Sequence, residues 1–598
     1  MRTLLSLLLA LCMNFGLHVT IHAQDLAQAV LSDNGSQYLA ERFKDTRSLP
    51  HDVQQFISSF PTVWDETRQL SGSVATARRS GKTWYVAGIN ETDEEKTIHL
   101  DLSFLGQQHG DIVYFGERGE RAFFVSLQEN YPTQMKCRPH GGFVLVIHPV
   151  GDHRSVNMPL FQTKYTADPS PLVVGDTLFL YTSHDASPED IPDPNERSSA
   201  GFFMYDWLLW STTDMVNWTE HGAVASLKDF PWRSRDNGAW AIQTVERNGK
   251  YYLYAPLHGH GIGVLMSDSP YGPFKDPLGK PLVWQREHWN DIDPSVFTDD
   301  DGQAYMYWGN PHCYYARLND DMISLKDSIV QLPHIPNYQE GPWFYKRAGH
   351  YYLGFATTCC PEALGYAMSD SSTGPWEWKN YIMTPTQRDR GNHPGICDYK
   401  GHSYVFGQDY DLMHLDTYVH HERRTVSASE ITYNADGTIQ EIPYWLNQKP
   451  LQQLKWLDPY ERVEAETMAW GRRLKTAKMG IPNTGVVKDM PTSTGRRNMY
   501  VFDINDGEYI RLRGVDFGTG AKRFSINAAG IGSVEILLRL DSQEGPVVGK
   551  VKIGGTSSEN VYKPFTTKVK HCEGIHDLYL CFDKAQGDVR LDYWKFKQ

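Results

Sequence analysis

Five short segments of this chain place a reactive or aromatic side chain just ahead of a strand-like run: Asp168 in TADPSPLV, Trp240 in GAWAIQT, Asp293 in IDPSVF, Glu340 in QEGPWFY and His393 in NHPGI. Two carboxyl groups on either side of a sugar suffice to break a glycosidic bond, because one protonates the leaving oxygen while the other activates water or attacks the anomeric carbon. A third carboxyl group can tune that pair, since clustering raises the pKa of the most buried or most repelled member. Taken singly, Asp168 ahead of Pro169 and Asp293 ahead of Pro294 read equally well as turn caps. What changes that reading is where they fall in a repeat.

Five times a glycine-containing turn is followed by alternating aromatic and aliphatic residues: GDTLFLYTS from Gly175, GKYYLYAP from Gly249, DGQAYMYWG around Gly302, GHYYLGFA from Gly349 and GHSYVFGQ from Gly401. Each is the signature of a β-hairpin's second arm. The turn glycines stand 74, 53, 47 and 52 residues apart, enough for one four-stranded blade per repeat. Five such sheets arranged radially bury their faces on one another and leave only short edges, which predicts a five-bladed β-propeller. Asp168, Trp240, Asp293, Glu340 and His393 lie seven to nine residues before the five glycines. Equivalent positions of a radial repeat meet at one end of its axis, where a core built for stability would be apolar.

The strings TADPSPLV, GAWAIQTVERNGKYYLYAP, DIDPSVFTDDDGQAYMYWGN, YQEGPWFYKR and GNHPGI resemble glycoside hydrolase family 43, inverting enzymes of arabinan and xylan breakdown. The resemblance implies a catalytic propeller over 151–455, with Asp168 as general base, Asp293 as modulator of the acid's pKa and Glu340 as general acid. It also implies that His393 holds a water or a Ca²⁺ beneath the substrate and that Arg424, in competition with Arg423, reaches the substrate or the carboxylates. Trp240 and Trp343 are candidate stacking platforms for sugar, although a propeller core needs large aromatics too. An inverting outcome requires Asp168 and Glu340 to stand about 6.5–9.5 Å apart.

Two further stretches resemble known modules. VEAE at 463–466, GEYIRLRGVDFG, GIHDLYLCF and the terminal LDYWKF are similar to a family 6 carbohydrate-binding module, a β-sandwich expected over 461–598. That resemblance implies a structural Ca²⁺ on Glu464, Glu466 and Asp592. Where such modules commonly line the sugar cleft with tryptophan, SSENVYKPF offers Tyr562. Residues 24–150 open with a helix expected over 37–58. They continue with FPTVWDETRQLSGSV and GGFVLVIHP, which resemble the C-terminal β-sandwich of glycoside hydrolase family 97, without that family's catalytic residues. The fold class expected is therefore all-β, a propeller flanked by two sandwiches.

Met1 and Arg2, an apolar stretch from Leu4 to Leu17 and Ile21-His22-Ala23 form a signal-peptide pattern over 1–23, so a secreted or periplasmic protein is expected, with no transmembrane segment in the mature chain. With 58 basic against 72 acidic residues and no basic run, nucleic acid is not an expected partner. Adjacent Cys359 and Cys360 are either two thiols or a vicinal disulfide, and Cys572 and Cys581 could pair across strands. The expected function is release of arabinose from arabinoxylan or arabinan, on a plant cell-wall polysaccharide and without an organic cofactor. A β-xylosidase and a catalytically inactive glycan-binding propeller are the alternatives.

Overall fold

The computed structural model describes residues 22–598 apart from 45–48, 50, 71–73, 82, 106–108, 119–120, 149–158, 188–190, 192–200, 234–236, 287–290, 360–361, 385–391, 417–421, 446–448, 472 and 480–497. The signal-peptide pattern and Cys360 thus lie outside the described residues, save for His22 and Ala23 at the end of that pattern. The chain forms two compact units, 1–154 with 414–420, and 155–413 with 421–598. Among the described residues no helix is long and apolar enough to cross a membrane.

In the first unit a six-stranded antiparallel sheet takes the order Glu66–Leu70, Ala75–Ser80, Thr83–Ile89, Gly142–His148, His109–Arg118, Arg121–Asn130. Strand alternation sends Trp84 and Val86 into one core and Tyr85 and Ala87 into another. The second face is covered by three helices, α1 (Ala23–Leu31), α2 (Gly35–Arg42) and α3 (His51–Ser58), through Leu26, Val30, Leu39, Val53 and Phe56. The single helix expected at 37–58 is instead two, because Phe43 leaves the helical conformation (φ −120°, ψ 70°) after Arg42 and the next helix starts only at His51. One face of the sheet is therefore covered by helices, and the other by a second, two-stranded sheet, Lys96–His99 with Gln134–Cys137, through Ile98, Met135 and Cys137.

The second unit begins with five antiparallel sheets in succession. Their first strands are Tyr165–Val174, Gln243–Arg247, Ser295–Thr298, Tyr338–Arg347 and Gly395–Tyr399, each paired with the glycine-led strand predicted for it. Asn248–Gly249 turns with φ 55° and 75°, the left-handed pair of a type I′ hairpin, which matches the twist of the strands it joins.

The first strands are tied to one another side by side. The Ser170 hydroxyl accepts the Thr244 N–H (3.2 Å), the Gln243 side chain accepts the Val296 N–H, and the Ser295 hydroxyl accepts the Phe344 N–H (2.9 Å). The Trp343 indole then donates to the Ile396 carbonyl (2.9 Å), and Gln408 of the fifth sheet accepts the Asp168 N–H of the first. This circuit of polar links runs through all five sheets and returns to its start.

The C-terminal residues form two antiparallel sheets around one apolar core that includes Ile526 and Trp594 from one sheet and Leu512, Leu538 and Leu580 from the other. They are fused to the first of the five sheets. Thr467–Met468 adds an outer strand opposite Trp218–Thr219, and Asn217 exchanges hydrogen bonds with the Arg513 backbone at 2.8 and 2.9 Å. The buried Glu220 carboxylate accepts from the hydroxyls of Thr163 and Thr476.

Cys359 is disulfide-bonded. Cys572 and Cys581, the pair that the sequence left open, are free thiols, as are Cys137, Cys313 and Cys397.

Candidate active site

Asp168 and Asp293 have φ of 52° and 57°, a left-handed conformation rare for a non-glycine residue and rarer before proline. Such strain persists only where the surroundings over-determine it. A turn cap needs none, so these are not ordinary Asp-Pro turns. The fourth sheet solves the same turn differently. Gly341 has φ 60° and the strand register slips between Tyr338 and Trp343, so Glu340 projects one residue ahead of the strict repeat position. A β-bulge of this kind re-aims a side chain. A Cβ on Gly341 would sit 2.9 Å from the His393 ring, so only glycine fits there.

His393 stands among the three carboxylates. Its Nδ1 is 3.6 Å from Asp168 Oδ1, and its Nε2 is 3.6 Å from Glu340 Oε1 and 3.9 Å from Asp293 Oδ2. Asp168 and Glu340 therefore face opposite nitrogens of one imidazole, with the ring between them. Burial works against a charged ring, but the attraction of Asp293, Asp168 and Glu340 outweighs it and lifts the His393 pKa to about 10. Burial pushes Asp293 up to about 8, helped by Glu340 and Asp168 and opposed by the His393 cation and the Gly341 N–H that Asp293 accepts. The Asp168 and Asp293 side chains are 3% and 4% exposed, whereas Glu340 is 16% exposed, so of the three it is Glu340 that solvent reaches.

Asp168 is also gripped from the first and fifth sheets. Arg424 Nη1 donates to Asp168 Oδ1 at 3.0 Å, while its Nε, Nη2 and backbone N–H all donate to Asp185 at 2.7–2.9 Å. Arg423 turns to the Ala186 carbonyl, so the choice between the two arginines falls on Arg424. Asn310 donates to Glu340 Oε2 and is itself held by Gln339 at 3.0 Å.

Sequence reasoning missed Asp185, Asn310 and Gln408. All three lie at or just past the far end of a sheet's second strand, Thr177–Asp185, Ala304–Trp308 and His402–Asp409. The repeat logic that found the first-strand residues, extended to the ends of their partners, would have found them.

The two tryptophans differ from expectation. Trp343 packs among Tyr352, Leu364, Ile396 and Trp445 with its indole N–H bound to Ile396, so it is a core residue and no sugar platform. Trp240 is also only 8% exposed, in a core with Trp207, Ile242 and Leu257 and with the His258 ring stacked on it at 4.0 Å.

Asp293, Glu340 and His393 bring one ligand atom each within 4.8 Å of one another, a grouping able to hold a cation. Ca²⁺ prefers six to eight oxygens, so water would complete its shell here, and it would compete with the proton on His393. Glu464 and Asp592 fit Ca²⁺ less well than expected, because the Arg462 guanidinium bridges them at 2.9 and 3.2 Å. Asp592 also accepts from Asn498 and Asn527, both at 2.7 Å, and Glu466 is buried nearby in sequence. Among the described residues, Glu464, Glu466 and Asp592 do not form a ligand cluster like that of His393.

Buried carboxylates sharing one imidazolium, with one of them open to solvent, are equipment for moving protons across a bond whose cleavage needs both an acid and a base. The fold and site define a glycoside hydrolase.

Residues 157–439 match the family described as glycosyl hydrolases family 43. Residues 464–598 match the carbohydrate binding module of family 6, and 63–148 match the glycosyl-hydrolase 97 C-terminal region, described as an oligomerisation domain. The chain is 29% identical over 507 residues to an arabinoxylan arabinofuranohydrolase of Bacillus subtilis, covering 75% of this chain and 94% of that one. It is 30% identical to a xylosidase/arabinosidase of Bacteroides ovatus, covering 46% of this chain and 95% of that one. A crystal structure of a family 43 arabinoxylan arabinofuranohydrolase from Bacillus subtilis, in complex with cellotetraose, superposes with a TM-score of 0.63 at 28% identity, covering 75% of this chain and 98% of that one. The chain belongs to glycosyl hydrolases family 43.

Proposed function

We propose that this chain removes arabinofuranosyl side chains from arabinoxylan or arabinan, acting outside the cytoplasm with inversion at the anomeric carbon. Glu340 donates its proton to the glycosidic oxygen as the bond to the anomeric carbon breaks. Asp168 takes a proton from the water that attacks that carbon from the opposite face, so the sugar leaves as a hemiacetal of inverted configuration and the polysaccharide leaves as an alcohol. Asp293 sets the orientation and proton affinity of the acid. The His393 imidazolium, or a cation in its place, supplies positive charge beneath the sugar. The five linked sheets are read as the blades of a propeller over 151–455, with accessory domains at 24–150 and 461–598.

The observation that carries this reading is the disposition of Asp168 and Glu340 on opposite nitrogens of His393, each 3.6 Å from its nitrogen, which holds the two carboxylates apart by more than the width of the ring. The choice of arabinose rests on reach: the match to the arabinofuranohydrolase continues through three quarters of the chain, while that to the xylosidase/arabinosidase covers 46%. Incubation with arabinoxylan, arabinan and xylooligosaccharides tests both parts. Arabinose released first as the inverted anomer, by proton NMR, is the expected product. Xylose as the main product overturns the sugar, a retained anomer overturns the mechanism, and unchanged rates in both Asp168→Ala and Glu340→Ala overturn the site.

A further inference from the structure

Trp284 is 47% exposed, in a chain whose other large aromatics are mostly consumed by the cores. Its position follows from register. The strand Ile262–Ser267 leaves the end of the second sheet where Trp240 lies, and residues 275–283 climb back alongside it, bridged at Met266 with Lys275 and at Ile262 with Val283. Trp284 is the next residue, and so it emerges above the same end of the sheets as the carboxylates.

Beyond it the chain is fastened to the site. Gln285 donates to the Asp291 carboxylate through its backbone N–H and its side chain (2.9 Å), and the Trp308 indole holds the same carboxylate at 3.1 Å. Asp291 stands two residues before Asp293. Through these links the Trp284 backbone lies within about 15 Å of Asp293.

The ledge is also rigid. A Cβ on Gly261 would fall 2.1 Å from the Val283 carbonyl and 2.9 Å from Trp284 Cβ, so the two segments touch backbone to backbone. The His260 ring lies 6.0 Å from the indole with its Nδ1 donating to the His258 carbonyl, and the Arg286 guanidinium stands over the indole at 5.6 Å, a donor beside an apolar ring.

We infer that Trp284, with His260 and Arg286, is a binding subsite for the pyranose backbone of the polysaccharide, the part of the substrate that is not released. The inference rests on the glycosidase reading of Asp168, Asp293 and Glu340. A pyranose ring presents an apolar C–H face to the indole and hydroxyls at its edge to the Arg286 guanidinium. An exposed aromatic on a rigid backbone gains that contact at little cost in conformational entropy. The sugar to be cleaved occupies the carboxylates themselves, so a platform standing outside them contacts the chain that carries it.

The test compares the full chain with Trp284→Ala and Trp284→Phe on two substrates, polymeric arabinoxylan and an aryl α-L-arabinofuranoside that has no backbone. Trp284→Ala is expected to lower kcat/KM on the polymer about tenfold, chiefly through KM, and to change the aryl glycoside less than twofold. Trp284→Phe should keep most of the polymer activity. Equal losses on both substrates, or an unchanged rate on the polymer, overturn the subsite while leaving the glycosidase reading intact. A folded wild-type chain inert on both substrates overturns that reading and the subsite with it.

Discussion

Replacing Asp185 with asparagine deletes one buried charge with almost no change in volume. Asp185 is fully buried and accepts three N–H groups of Arg424, whose remaining arm holds Asp168. Breaking a buried ion pair by neutralising one partner costs about 3–5 kcal/mol, because the other charge stays buried with too little compensation. At roughly 2 °C per kcal/mol for a domain of this size, the Tm of the catalytic region should fall by about 6–10 °C. Arg424 would also hold Asp168 less firmly. A base misplaced in this way is expected to lose about ten- to a hundredfold in kcat, which is about 1.4–2.7 kcal/mol of barrier. Differential scanning calorimetry and kcat on an aryl arabinofuranoside measure the two effects. Arg424→Met and the double variant complete a cycle in which the double loss should be well below the sum of the single losses. A Tm within 2 °C of wild type with unchanged kcat, or strictly additive losses, would refute the claim that Asp185 acts through Arg424.

Gly341→Ala should abolish most activity, since the new methyl group meets the His393 ring at 2.9 Å and φ 60° is strained for alanine; near-native kcat would show that the ring can yield. His393 and Asp293 both have raised pKa values in the folded chain, so each contributes stability at low pH that is lost as pH rises. For Asp293 the loss runs from 3.8 to about 8, and for His393 from 6.5 to about 10. Urea unfolding should therefore show stability falling across pH 3.8–10, with a flatter profile above pH 6.5 in His393→Asn; equal slopes there in the two proteins would contradict the assignment. Because Arg462 already bridges Glu464 and Asp592, EDTA should leave the Tm of the C-terminal module within about 2 °C of its value in Ca²⁺, and a larger drop would reveal a metal there.

Much of the site was legible because a radial repeat converts spacing along the chain into convergence in space. Asp168, Asp293 and His393 could be found by counting back from hairpin glycines, two of whose five turns are written in Asn-Gly and Asp-Gly dipeptides. Glu340 was found by the same count although it sits one residue off the strict position, a shift produced by the bulge around Gly341. The repeat did not reveal how the carboxylates are supported. Asp185 and Arg424 are separated by 239 positions and nothing local marks them as partners. Trp343 and Trp240 read alike as sugar platforms, yet both are taken into cores, Trp343 with Ile396 and Trp240 beneath the His258 ring.

The sequence by itself determined the strands, their hairpins, the family and the identity of the groups that meet at the centre, because turn chemistry and two-residue alternation are local properties of the chain. Only the tertiary structure decided that Asp168 and Glu340 face opposite nitrogens of His393, that Arg424 rather than Arg423 reaches Asp168, and that Arg462 stands between Glu464 and Asp592. Those outcomes depend on distances of a few ångströms between residues remote in sequence, where burial and the sum of neighbouring charges settle which partner each ionisable group takes.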